Sequence, residues 1–204
     1  MGRGVRPDAG DLTGLEVASV TEFLARPTGV RRLLVLGSTA ELAAVASATP
    51  ETPIAFGGSG ELFRLFALDP SSPAARRRFD SGTAYPADLG VLEIGGDSRR
   101  FLVGVGAGSF SSTGWRVPWT HRPGSVAVEG QRVVEATARG VALMNAQHWG
   151  RWNVAPRAAI NDGRLEAQVF SGSMNALLRL RPALRRGLHE RSSLVRRSTS
   201  AEIR

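Results

Sequence analysis

The stretch at residues 145–163, NAQHWGRWNVAPRAAINDG, decides how the rest of the chain is read. It opens on an aromatic, glycine-containing turn carrying His148, Trp149, Gly150 and Trp152. It then passes through Val154, Ala155 and Pro156 and ends on Asn161, Asp162 and Gly163, a strong turn signal. Both flanks read as strands. Residues 140–144, GVALM, are a short apolar run, and residues 164–170, RLEAQVF, alternate polar and apolar side chains with period two. The pattern predicts sheet edges joined by a loop that holds aromatic rings at a surface.

The composition limits what the loop can belong to. With 204 residues and 42% hydrophobic content the chain is long enough for one ordinary domain or two small ones with a real core. Its longest apolar runs are about five to six residues, far short of the roughly 20 that a bilayer span needs. Residues 1–14, MGRGVRPDAGDLTG, lack the apolar centre of a signal peptide, so a cytoplasmic location is the expectation. The absence of cysteine removes disulfides, thiolate nucleophiles and cysteine-ligated metals. Lysine is also absent, which removes Schiff-base chemistry and the lysine of a Walker-type phosphate loop. The net charge of +8 is uneven: Arg179, Arg181, Arg185, Arg186, Arg191, Arg196, Arg197 and Arg204 crowd the end of the sequence. Such a tail reads either as a solvated basic helix with a frayed end or as a contact for an anionic surface. No nucleic-acid-binding motif accompanies it, so nucleic acid is not favoured.

Along the chain, residues 1–28 read as poorly ordered at the start, with one short helical pattern at 17–24. Residues 31–36, RRLLVL, read as a buried strand that ends in Gly37, Ser38 and Thr39. Ser38 or Thr39 can cap a helix over 40–48, and Pro50 and Pro53 end it. A second short strand at 54–56 runs into Gly57, Gly58, Ser59 and Gly60, ahead of a helical pattern at 61–68. Strand, glycine turn and helix, twice over, predict a parallel α/β layer. After the break at 69–73 one more helical turn is expected at 74–79. The texture then changes to strands at 91–94, 100–105, 125–129 and 132–135, with a hairpin turn at Gly95, Gly96 and Asp97. A last helix is expected over 173–188, interrupted at Pro182.

Three groups of residues could carry chemistry. A glycine turn between strand and helix exposes backbone N–H groups at the positive end of a helix dipole, a ready place for phosphate, although many such turns bind nothing. Ala87, Asp88, Leu89 and Gly90, followed by residues 101–106, FLVGVG, place an acid just ahead of a strand. Trp115, Trp119, Trp149 and Trp152 could line a pocket for a lipid or polycyclic molecule, or could cap the β core.

Taken in order, these motifs resemble the diacylglycerol kinase family of lipid kinases. In that family an Asn-Gly, a glycine cluster, an apolar-Ala-Pro and an Asp-Gly follow one another at this spacing, and residues 145–163 resemble that order through Asn145, Gly150, Val154-Ala155-Pro156 and Asp162-Gly163. Gly57, Glu61 and Arg64 fall on the Gly, Asp and Arg of the family's GTxNDFAR-like loop, and Gly60 replaces its Asn. Residues 87–90 resemble the family's Asp-Leu-Gly strand. The resemblance implies a fold of mixed class, α/β plus β-rich. Residues 29–84 would form an abbreviated parallel α/β nucleotide-binding half, and residues 85–204 a β-sandwich-like substrate domain with a C-terminal helix and basic tail. It further implies ATP and Mg²⁺ as cofactors, with Gly37, Ser38, Thr39, Gly57, Gly58, Ser59, Gly60 and Arg64 at the nucleotide. Glu61 and Asp88 would be the catalytic and metal-binding acids. Trp115, Trp119, His148, Trp149 and Trp152 would stand at the lipid.

The departures are equally specific. Where the family's first glycine loop reads GGDGT, this sequence has Leu36, Gly37, Ser38 and Thr39, with no acid in the loop. The Asp-Gly-Glu whose Glu is the family's proposed general base is not reached by Arg204, and only about 30 residues precede the first strand. A replacement base would be His121, His148 or His189, of which His148 is the best placed. The expected activity is therefore phosphoryl transfer to a lipid hydroxyl. The alternative is a family member without kinase chemistry that binds a lipid or another hydrophobic small molecule. A basic adaptor that meets an anionic membrane peripherally is a third reading, and a second copy of the chain could join it as a homo-oligomer.

Overall fold

Leu33–Leu36 (β1) is four consecutive apolar residues, and it pairs in parallel with Ile54–Gly57 (β2), Leu33 opposite Ile54 and Leu36 opposite Gly57. Parallel neighbours need a crossover, and Thr39–Ala48 (α2) supplies it. Ser38 starts that helix with a reciprocal capping box and Leu42, Ala43 and Val45 face inward, while Thr49 closes it by donating from its hydroxyl to the Val45 carbonyl at 2.9 Å. These elements belong to the first of two units, residues 1–89; the second is 90–204. The structure, a computed structural model, describes residues 18–27, 30–57, 63, 66, 68–69, 71–108, 110–111, 114–115, 124–128 and 131–200. Among them no helix is long and apolar enough to cross a membrane.

The rest of the first unit departs in detail from expectation. The disorder expected at the chain's start falls on residues 1–17, outside the described residues, and Val20–Ala25 (α1) follows behind a second capping box at Ser19. The single turn expected near residue 74 is a ten-residue helix, Ser72–Ser81 (α3). Pro73 sits in its first turn, where a missing N–H costs nothing, and Arg76 and Asp80 pair one turn apart at 2.9 Å. Ala74 and Ala75 are buried, and Arg78 ties the helix to β2 by donating to the Phe56 carbonyl at 2.6 Å. Burial and the neighbouring Arg77 lower the pKa of Arg78, with Asp69 opposing them.

The second unit is antiparallel. Gly90–Ile94 (β3) and Asp97–Phe101 (β4) form a ribbon whose turn residues Gly95 and Gly96 both have positive φ, 59° and 93°, the requirement of a type I′ hairpin. The strand expected at 100–105 is broken instead at Leu102 and Val103, both buried. Asn145 stitches the break: its side-chain N–H donates to the Leu102 carbonyl at 2.9 Å and its backbone N–H to Val103 at 2.8 Å. Gly104–Gly108 (β5) then pairs with the long strand Gln131–Met144 (β9), as does Gly124–Val128 (β8). Phe110–Ser111 (β6) and Gly114–Trp115 (β7) form one small ribbon, His148–Trp149 (β10) and Trp152–Asn153 (β11) another.

Leu165–Ser171 (β12) lies between β9 and Val195–Ser200 (β13), completing a five-stranded sheet in the order β13-β12-β9-β5 with β8 also on β9. This corrects the reading of the sequence's end as helix and frayed tail. Residues 195–200 are an edge strand, held by the ladder to β12, with Val195 and Ser200 buried and Arg197 directed at Glu166 of β12 and at Glu190. The helix expected over 173–188 is two short ones, Met174–Arg179 (α4) and Arg181–Arg185 (α5), hinged at Leu180 just ahead of Pro182. Leu177, Leu180 and Leu184 recur at helical spacing and form the buried stripe.

Gly104 is where the β5–β9 pairing is tightest. A methyl group there would stand 2.8 Å from the Leu143 carbonyl oxygen and 2.6 Å from the Met144 sulfur. Gly104→Ala is expected to destabilise the protein by about 1–3 kcal/mol, read as a lowered urea midpoint with unchanged slope; an unchanged midpoint would show that β5 can shift away from β9.

Candidate functional site

The ends of β1 and β2 bring Gly37 and Gly57 together. The Gly37 N–H donates to the Gly57 carbonyl at 3.2 Å. Gly37, Ser38, Thr39 and Gly57, with Val35, Leu42, Phe56 and Phe63 behind them, line a cavity of about 10 Å³. That volume suits a single water. The position, outside the carboxyl ends of adjacent parallel strands, is where open α/β sheets ordinarily take ligands.

An acid does stand against this loop, although the loop sequence contains none. Glu41, in the first turn of α2, folds back so that its carboxylate accepts from the Ser38 N–H and hydroxyl, both at 2.7 Å. The Ser38 hydroxyl in turn accepts from the Glu41 N–H at 3.2 Å. Those bonds, the backbone one foremost, hold the Glu41 carboxyl below its ordinary pKa, so it is ionised near neutrality. A Cβ on Gly37 would lie 2.6 Å from a Glu41 carboxylate oxygen, so only glycine lets the carboxylate close onto the loop without shifting.

The other expected residues divide. Gly58, Ser59, Gly60, Glu61 and Arg64 lie outside the described residues, as do Trp119 and His121. Asp88 is half-buried in the extended segment ahead of β3. Trp115 is placed on β7 opposite Phe110. His148 and Trp149 are half-buried on β10, and Trp149 faces Trp152 across a turn whose Gly150 has φ 58°. Trp152 is not a surface ring: it is 3% exposed, and Val154, Ala155, Ala158 and Ile160 after it are also buried. Residues 152–160 are thus a core segment where a surface loop was expected. His189, a candidate base, is buried, and its Nε2–H donates to the Val154 carbonyl at 2.9 Å while its ring stacks near Phe170. Desolvation lowers its pKa, which keeps it neutral and structural.

A buried polar cluster on β12 is the main feature that pattern reading passed over. Period-two alternation usually marks a strand with one wet face, yet Glu166 and Gln168 are both buried. The Gln168 amide donates to Glu166 and, at 3.1 Å, to Glu190 on the 3-10 turn His189–Arg191 that covers the sheet. Arg197 on β13 approaches Glu166 at 3.6 Å and Glu190 at 4.0 Å, and Arg157 approaches Glu190 from outside at 3.5 Å. Burial, opposed by Gln168 and Arg197 and reinforced by Glu190, pushes the Glu166 carboxyl up to about 7. The signal available in sequence was weak: acids at 166 and 190 and an arginine at 197 become neighbours only through tertiary pairing. Among the described residues no group of three or more His, Asp or Glu could hold a metal ion by itself.

No family model and no curated protein matches the sequence. Solved structures do share the fold. Three crystal structures from Bacillus anthracis str. Sterne, each described as a diacylglycerol kinase and the first two provisionally so, superpose with TM-scores of 0.65, 0.63 and 0.63. Sequence identity is 17%, 17% and 16%; 89% of this chain is covered in each case, against 67%, 68% and 67% of theirs.

The Glu166 carboxyl gives the protein a pH signature. Its folded pKa, about 7, exceeds the ordinary 4.5, so between those values the folded state keeps a proton that the unfolded chain has released. Its contribution is full below the lower value and is lost as pH rises through the upper one, by about 1–3 kcal/mol. His189 acts with the opposite sign, its stability falling away in acid. The comparison with Glu166→Gln isolates the carboxyl: in urea unfolding the variant should gain on the wild type from pH 5 to about 7 and level off by about pH 8. A constant difference across that range would mean that Glu166 ionises normally.

Proposed function

We propose that this protein is a lipid kinase of the diacylglycerol kinase type, binding ATP with Mg²⁺ at the loops after β1 and β2. In this reading it transfers the terminal phosphoryl group to a lipid hydroxyl held by the second, β-rich unit. One observation supports the reading: Gly37 and Gly57 are hydrogen-bonded to each other at the carboxyl ends of parallel strands, with an ionised carboxylate, Glu41, against Gly37. The donors and the carboxylate suit a metal-bound phosphate better than a bare one. A lone phosphate would meet Glu41 at close range, whereas Mg²⁺ is ordinarily held by one or two carboxylates together with substrate phosphates. The bound Mg²⁺ nucleotide would supply the phosphoryl group and neutralise its charge.

The chain's own part is positioning. Gly37 and Gly57 would hold the two loops side by side, and Ser38, Thr39 and Gly58 to Gly60 would orient phosphates through backbone N–H groups, with Arg64 beside them. Glu61 and Asp88 are the proposed acids at the metal and the reacting hydroxyl. Trp115, Trp119, His148 and Trp149 would flank the lipid within a sandwich-like second unit, with the buried Trp152 behind them.

A second reading has its own observation. The Ser38 and Glu41 capping box satisfies the very donors that a phosphate would use, which suits a relative that keeps a hydrophobic site and has given up the nucleotide. Calorimetry separates the two. The kinase reading expects ATP to bind with a strict Mg²⁺ requirement, and Glu41→Gln, which preserves the capping box, to relax that requirement at least several-fold. Glu61→Ala should then abolish phosphate transfer to diacylglycerol. No binding at millimolar ATP with Mg²⁺, together with lipid found by mass spectrometry in the purified protein, would establish the second reading instead.

A further inference from the structure

Trp152 is surrounded by cations. The guanidinium carbons of Arg151, Arg181 and Arg185 stand 4.9, 5.7 and 5.1 Å from the centre of its ring. Arg151 comes from the β10–β11 turn, whereas Arg181 and Arg185 are one turn apart on α5 and share a face. Arg186 joins them along an open groove of about 440 Å³ whose apolar lining is Trp152, Leu178 and Pro182. Leu178 is 38% exposed.

The ring explains how one cation is held, since its negative face attracts a guanidinium. It does not explain three. All three lie within 6 Å of one ring centre, so their mutual separation is on the order of a Debye length and salt screens their repulsion only in part. Among the described residues none of the four arginines is ion-paired, whereas Arg76, Arg157 and Arg197 each meet a carboxylate. Several other arginines are also without an acid, so what sets this group apart is convergence: three guanidiniums share one ring with no described carboxylate among them, and an anion from outside would relieve their repulsion. Guanidinium groups match phosphate oxygens in a planar, two-point geometry.

We infer that the groove is a docking surface for an anionic phospholipid membrane: the arginines take headgroup phosphate, and Leu178 and Pro182 rest against the glycerol and upper acyl region. Charge complementarity supports a phosphate, and the exposed leucine on the same groove favours a lipid over a free phosphate ion. The surface is distinct from the loops after β1 and β2 and does not depend on nucleotide binding there, so it is tested with no nucleotide present.

The experiment is co-sedimentation of the full chain with vesicles of phosphatidylcholine, with and without 30% phosphatidylglycerol, at about 0.15 M salt. The wild type should bind only the anionic vesicles, and Arg181→Ala/Arg185→Ala should lower the partition coefficient at least tenfold, since each basic residue near the surface matters severalfold. The charge-matched control Arg26→Ala/Arg99→Ala, which removes two exposed arginines elsewhere, should bind like the wild type. Circular dichroism melts of all four proteins verify folding, the fourth being charge-keeping Arg181→Lys/Arg185→Lys, which loses the fork and should recover only part of the binding. Equal losses in the groove and control variants would reduce the effect to net charge and overturn the proposal. Absence of wild-type binding to anionic vesicles would also overturn it. If inorganic phosphate at millimolar concentration then raised the wild-type melting temperature, the groove would be assigned to a soluble phosphate compound in place of a lipid.

Discussion

Everything in the second unit depends on β12 being covered on both faces. Its central five residues, Glu166 to Phe170, are all buried, with the ladders to β9 and β13 on either edge. One face is ordinary core: Ala167 and Val169 point the same way, and Val169 packs with Ala138 and the partly buried Val141 of β9. The other carries Glu166, Gln168 and Phe170, and it can be buried only if its polar atoms find partners. The 3-10 turn His189–Arg191 answers that demand. It sets Glu190 on the Gln168 amide and lays His189 over Phe170, while the Nε2–H of His189 reaches across to the Val154 carbonyl. One turn therefore fastens the sheet, the C-terminal segment and the core run after Trp152 to one another.

The fit is imperfect in a way that bears on specificity. The Gln168 carbonyl oxygen and His189 Nδ1 are buried without a hydrogen-bond partner among the described residues, and two carboxyl groups share one amide. Replacing such a cluster with apolar residues often costs nothing in stability. Here it has a further consequence, because period-two polarity in β12 allows one register only. A one-residue slip against β9 would move Glu166 and Gln168 onto the face of Ala167 and Val169, which packs against the apolar Ala138 and Val141.

How far the sequence foretold this depends on the range of the interactions. β1, β2 and α2 were legible because their causes are local: four apolar residues, a serine cap with glutamate three residues on, and prolines at the end. The hairpin at Gly95 and Gly96 was legible for the same reason, as was the likeness of the motifs to a fold that the solved structures share. The break at Leu102 and Val103 was not, since it is made by Asn145, more than 40 residues away. β13 was hidden by its own side chains. Arg196 and Arg197 read as a solvated tail, and only pairing with β12 makes them strand residues and brings Arg197 to Glu166 and Glu190. The aromatic stretch was read correctly as a turn between strands but placed on the wrong side of the surface, because the packing of α5 over Trp152 is not encoded near Trp152.

Two sites in the molecule treat negative charge in opposite ways, and the contrast bears on what each is for. At the loops after β1 and β2 the chain brings its own anion: Glu41 closes on Ser38 and satisfies the helix start from within. A bare anion gains little there, because it must displace a carboxylate that already has its hydrogen bonds, and a cation-carrying ligand gains more. Around Trp152 the chain brings cations and no described counter-ion, so the electrostatic free energy falls when an anion arrives. With lysine absent, every positive charge on this surface is a guanidinium, a planar fork that is weakly hydrated for a cation and suited to two-point contact with phosphate oxygens. The loops after β1 and β2 thus carry a carboxylate with its hydrogen bonds already made, whereas the groove beside Trp152 gathers cations with no described acid among them, and neither arrangement follows from the net charge of +8 alone.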